Sequence, residues 1–136
     1  MARRAYPFDL VTQVQSDSVL VACSHDGYRR LSGQPVHRRT WQMNAAGLSV
    51  ADSVVGGHHA AVARFILHPQ VLAEPHGDNA WRLNLPCGQS LNLSVQKGAG
   101  RLVQASYAPE FGKVLPTQCL AVDLVDGQAL IMLRWI

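Results

Sequence analysis

Lysine is nearly absent from this sequence: Lys97 and Lys113 are the only two in 136 residues. Charged residues of all kinds make up 15%, well below the usual quarter, which fits a chain with many buried strand positions. Twelve basic and nine acidic side chains leave a net charge of +3. That bias is mild, and no long stripe of Lys and Arg accompanies it, so nucleic-acid binding is not indicated. No apolar run approaches the length of a membrane span. Arg3 and Arg4 have no apolar stretch behind them, so the N-terminus lacks a signal-peptide pattern and the sequence names no compartment. The three cysteines, Cys23, Cys87 and Cys119, are far apart and odd in number. Neither a disulfide framework nor a zinc knuckle fits them, and they read as reduced thiols packing as small hydrophobes. Helical periodicity is missing as well, and there is no repeat, linker or low-complexity tract.

What the chain does have is alternation. Short segments switch between apolar and polar about every second residue and recur roughly every ten, the pattern of an all-β sandwich. Strands are expected near Asp9–Gln15, Val19–Cys23, from Val36, over Leu48–Val55, and at Trp81–Leu85, Leu91–Val95 and Leu102–Tyr107. Gln118–Val125 and Gln128–Trp135 flank Asp126-Gly127, a strong hairpin signal because both turn positions need positive φ. His59–His68 is the most apolar stretch, and with both faces apolar it reads as a central strand covered on each side. Pro69 ends it, bringing no N–H to a ladder. In the run Ser106–Gly112, Pro109 and Gly112 are expected to make a bulge or loop, with Phe111 plugging the core. The sum is one domain over residues 1–136, an antiparallel β-sandwich of about eleven strands with no helix.

The organising stretch runs from Cys23 to Trp41. Cys23-Ser24-His25-Asp26-Gly27-Tyr28-Arg29-Arg30-Leu31 leads through a turn to Val36-His37-Arg38-Arg39-Thr40-Trp41, so the whole reads as one long hairpin. On its second strand His37, Arg39, Trp41 and Met43 share one face, and Val36, Arg38, Thr40 and Gln42 the other. Counted with Arg3 and Arg4, Arg29, Arg30, Arg38 and Arg39 make half of the Lys and Arg in the chain. Arg over Lys suits fixed, bidentate pairing rather than a solvated cationic field.

The run SHDGYRRLSGQPVHRRTW resembles a segment of the C-terminal β-sandwich of heparinase II/III-like proteins. GLSVADSVVGG, ARFILHPQV and YAPEFGKVLPTQCLAVDL follow in the same order, and Arg3-Arg4-Ala5 resembles the arginine-rich strand just before that region. The resemblance covers essentially the whole chain. It implies a supersandwich-like fold and a parent polysaccharide lyase that joins an α/α-toroid to this sandwich, in keeping with a periplasmic or secreted parent. Such enzymes cleave uronate-containing chains by β-elimination, which needs a base, an acid on the leaving oxygen and a group that neutralises the carboxylate. The family's catalytic Tyr, His and Asn or Arg come mostly from the toroid, and a His-rich motif lies at the start of the sandwich region. Neither the toroid nor that motif is in this chain. No catalytic residue and no cofactor is therefore assigned here, and the expected role is support of the toroid and of one wall of the substrate cleft. The alternatives are a free-standing carbohydrate-binding module and a purely structural or self-associating sandwich.

Two constellations are candidates for a site. Tyr28, Arg29, Arg30, Arg38, Arg39 and Trp41 could contact an acidic polysaccharide, since guanidinium forks match carboxylate and sulfate groups and aromatic rings stack on sugars. The competing reading pairs those arginines with Asp26, Asp52 or Glu110, or with a neighbouring domain. His25, Asp26 and His37, at the loop end of the hairpin, are the one weak metal candidate among six histidines. There the bland reading has His25 and Asp26 capping the turn and His37 packing beside Trp41. Tyr107 with Glu110 reads better as structure than as an acid–base pair.

Overall fold

The computed structural model describes residues 4–136, so Arg3 of the arginine-rich segment lies outside it. Among the described residues there is no helix. The eleven strands are β1 (Pro7–Val14), β2 (Ser18–His25), β3 (Val36–Asn44), β4 (Gly47–Val55), β5 (Val62–Ile66), β6 (Leu72–Pro75), β7 (Ala80–Asn84), β8 (Ser90–Lys97), β9 (Ala99–Glu110), β10 (Lys113–Asp123) and β11 (Gln128–Trp135). They pair antiparallel throughout, in a large sheet ordered β1-β2-β3-β4-β11-β8-β7-β6 and a small one ordered β5-β10-β9. This is the expected all-β architecture. The last strand, β11, sits inside the large sheet and joins its two halves.

Turn chemistry closes these ladders. Asp126 and Gly127 both adopt positive φ (52° and 69°), as the Asp-Gly signal requires. At Gly127 a Cβ would come within 2.7 Å of the Val54 carbonyl oxygen, which itself excludes a side chain. The β9–β10 hairpin has the expected bulge but departs from expectation at Phe111. The two strands reach a two-residue turn at Phe111 and Gly112, and Phe111 at its tip is fully exposed rather than in the core. The ladder register shifts between Glu110–Lys113 and Tyr107–Leu115, so the expected irregularity at Pro109 is a bulge within an edge strand, a position where proline is tolerated.

The core lies between β4, β11, β8 and β7 of the large sheet and β5 and β10 of the small one. It is built from Val50, Ala63, Trp81, Leu83, Leu93, Val95, Leu120, Val122, Ala129 and Ile131. Its central strand is β10, where Cys119, Leu120, Ala121 and Val122 are all buried. The apolar stretch within His59–His68 is instead an edge: β5 pairs with β10 alone. Ala63 is buried there, while Val62 and Ile66 on the other face are exposed. Apolar residues on both faces therefore did not mean cover on both faces.

The cover of the large sheet is incomplete. Facing partners run across it in a row: Val14, Val19, Met43, Leu48, Leu133, Leu93 and Trp81. At one end Leu93 and Trp81 are buried, whereas at the other Met43 and Val14 are 48% and 78% exposed. The small sheet stops with β5, over β3 and β4, as the Arg39 guanidinium stacked 4.8 Å from the Phe65 ring centroid shows.

Candidate functional site

The open end of the sandwich holds a cleft of about 480 Å³. Its floor is His25, His37, Arg39, Asp52 and Val54, one wall is the run 60–64 at β5, and the other is the β2–β3 loop with Tyr28, Leu31 and Pro35. The hairpin register builds the floor. His25 pairs directly with His37, and Arg39 with Asp52 of β4, so direct partners share a face. The loop is tied down at both ends. Asp26 accepts the Tyr6 N–H at 2.8 Å through Oδ1 and returns its own N–H to the Tyr6 carbonyl at 3.2 Å. Gly57 N–H donates to the Gly33 carbonyl at 3.1 Å. At Gly33 (φ 84°) a Cβ would lie 2.2 Å from the Gly57 oxygen, so only glycine permits this approach.

Asp52 is the hub. Its carboxylate takes a bidentate fork from Arg39, Nε at 2.7 Å to Oδ1 and Nη2 at 3.0 Å to Oδ2. His37 Nε2 reaches the same Oδ1 at 2.6 Å. The side chain is 2% exposed. Burial pushes its carboxyl upward, but the His37 and Arg39 hydrogen bonds and the Arg39 charge outweigh that, and the carboxyl is held below its ordinary value of 3.8.

The two histidines extend this hub outward. His25 Nε2 lies 3.0 Å from His37 Nδ1, and the Gly27 N–H points at His25 Nδ1 from 3.2 Å. One set of neutral tautomers satisfies every contact. His25 accepts from Gly27 at Nδ1 and donates from Nε2; His37 accepts at Nδ1 and donates from Nε2 to Asp52. In that arrangement neither ring keeps a lone pair for a metal. Among the described residues no group of three or more His, Cys, Asp or Glu converges as ligands. Burial, then the neighbouring His37 charge, hold His25 below its usual 6.5 against a smaller opposing pull from Asp26.

The sugar candidates divide over the two faces of β3. Tyr28 and Arg39 line the cleft, with the Tyr28 ring 5.2 Å from His25. Arg39, however, is committed to Asp52. Trp41 continues the same face and is 37% exposed. Arg38 lies on the other face and donates to the Asp9 carbonyl at 3.0 Å and to Ser24 Oγ at 3.1 Å. Arg29 sits over the Phe8 ring, and Arg30 is exposed on the loop. Tyr107 packs edge-on against His68, and Glu110 pairs with Lys113 across the hairpin turn. Of the expected partners for the arginines only Asp52 is used, by Arg39. Sequence reasoning did not single out Asp52 as a hub or His58, Phe65 and Arg64 as its surroundings. Asp52 did carry one signal: it is the lone acid on the inward face of β4, between Val50 and Val54.

The fold is thus an antiparallel sandwich with a histidine- and arginine-lined cleft at its open end. A family model described as heparinase II/III-like, C-terminal, matches residues 1–129, and the chain belongs to that family. The fold is similar to that of a solved heparinase III, the BT4657 gene product, with a TM-score of 0.69 at 10% identity. The same protein with methylated lysines gives the same figures. The match covers 93% of this chain and 21% of the other, so the chain spans about a fifth of that relative. No curated protein matches.

Proposed function

We propose that this domain is the C-terminal sandwich of a polysaccharide lyase, where it supports a catalytic toroid and walls one side of the substrate cleft. The parent would eliminate across the 4-linked glycosidic bond of a uronate-containing chain, with base and acid supplied from outside these residues. The observation that carries the reading is the family match over residues 1–129 combined with a fold that fills only about a fifth of heparinase III. The test has two parts. The reading frame upstream of Met1 is sequenced for a helical toroid, and the protein it encodes is assayed with and without residues 1–136. Release of unsaturated uronate by the complete protein, lost on removal of this domain and absent from the domain alone, is the expected result. Turnover of heparin, heparan sulfate or alginate by the 136-residue chain alone overturns it.

A second reading, in which the domain itself holds acidic polysaccharide, is favoured by the surface placement of Tyr28, Arg29 and Arg30 on the β2–β3 loop. Arg38, Arg39 and Trp41 enter this reading as the strand behind the loop. Arg29→Ala with Arg30→Ala is the informative pair, because Arg39→Ala would strand the buried Asp52 carboxylate. Salt-sensitive retention on immobilised heparin that the double variant abolishes supports this reading; unchanged retention refutes the loop site.

A further inference from the structure

The free edge of β5 borders the cleft. Leu67 N–H donates to the Gln118 carbonyl and Leu124 N–H to the Ala61 carbonyl, each at 2.9 Å. With the register Leu120↔Phe65 and Val122↔Ala63, antiparallel alternation assigns residues 61, 63, 65 and 67 to β10. The N–H and C=O groups of Val62, Arg64 and Ile66 are therefore turned the other way, outward from the sheet. The other three edges carry devices against pairing. β1 has Pro7 and a register shift after Phe8, β6 is four residues ending in Pro75, and β9 carries Pro109. β5 has no proline, and its register with β10 is unbroken. It stops over β3, while β1, β2 and β3 continue beneath open space with Val14, Trp41 and Met43 exposed.

From this geometry we infer that β5 is a strand-addition site, which takes an extended segment of the parent polypeptide carrying an acidic residue opposite Arg64. Such a strand continues the small sheet past β5, uses the three free backbone pairs, fills the cleft with its inward side chains and shades the open face of β1–β3. The inference rests on the reading of this chain as one domain of a larger protein; the solved relative has about four-fifths of its length beyond the matched part. A second copy of this chain is the poorer occupant. Antiparallel pairing of β5 with its own copy about Arg64 sets two guanidinium groups directly opposite, a destabilising contact, whereas a Glu or Asp there is favourable.

The test titrates the isotope-labelled full chain with blocked nine-residue peptides of alternating Thr and Val that carry Glu, Lys or Pro at the centre. With the Glu peptide, the Val62, Arg64 and Ile66 amide signals are expected to shift and to exchange at least ten-fold more slowly. The Lys peptide should bind about two- to five-fold more weakly, the size of one cross-strand charge pair, and the Pro peptide should not bind. Arg64→Glu should reverse the Glu-over-Lys preference. Three results overturn the inference: no change at these amides with millimolar Glu peptide, shifts confined to another edge, or concentration-dependent protection of the same amides without peptide, which makes the occupant a second copy. None of these bears on uronate release by the parent, so the lyase reading stands or falls separately.

Discussion

Asp52→Asn changes almost no volume and removes one charge, which makes it the sharpest probe of the network. In the wild-type chain the carboxylate satisfies Arg39 twice and His37 once, with its side chain 2% exposed. The amide keeps one acceptor, which the His37 Nε2–H and the Arg39 Nε–H then share, and its NH2 faces the donor Nη2 of Arg39. A guanidinium thus loses its counter-ion in a largely buried site. Removing one partner of a buried pair costs about 3–5 kcal/mol. Arg39 is 24% exposed and keeps some access to water, so the lower figure of about 3 kcal/mol applies. With an m-value of about 2 kcal/mol/M in urea, the unfolding midpoint falls by roughly 1.5 M. The double variant Asp52→Asn with Arg39→Met removes the stranded charge and recovers at least half of that loss. The pH dependence supplies a second readout. Because the folded carboxyl lies below 3.8, the unfolded chain takes up the proton first. Its contribution is complete above that value and lost as pH falls through the lower folded one, and Asn abolishes this leg of the acid limb. A midpoint within about 0.5 M of wild type at neutral pH refutes the hub.

His25 titrates in a higher window with the same sign. Its folded pKa lies below 6.5, so its contribution is complete above that value and lost on acidification below it. His25→Phe should flatten stability against pH there, as followed by urea melts at closely spaced pH values, and an unchanged slope rejects the single-tautomer network. Phe111→Ser should leave the urea midpoint within experimental error, since the ring is fully exposed; a large drop in stability would place the ring in a contact. Thiol labelling of the native chain should modify exposed Cys87 first and buried Cys119 only with global unfolding. Equal rates for the two would contradict the packing of β10.

Alternation along the chain announced the strands because a strand has a two-residue period that residue chemistry can display. The φ values at Asp126 and Gly127 were legible for the same local reason. Sheet membership was not. Val62–Ile66 shows apolar residues on both faces, but nothing in those five residues says whether one neighbour strand or two will flank them. Phe111 is a similar case: its size suggested burial, while its position at the hairpin tip was fixed by the length of the β9–β10 ladder. In the cleft, the meeting of His25 and His37 followed from folding one hairpin on itself. Asp52 arrives from the next strand, whose register against β3 is set by the turn at Asn44–Gly47, and so its role needed the sheet to be built.

The place of β11 has a consequence for how the chain is made. The β1–β4 half and the β6–β8 half of the large sheet do not touch by backbone hydrogen bonds; Gln128–Trp135 stitches one to the other. Synthesis delivers that stitch after both halves. Until then the nascent chain presents two open edges, at β4 and at β8, each the eventual partner of the same eight residues. Such long-range closure is slow, and the waiting species is prone to pairing with the wrong strand. Within this domain, pairing of β4 or β8 with a strand other than β11 is therefore the misfolding hazard that the order of the strands creates.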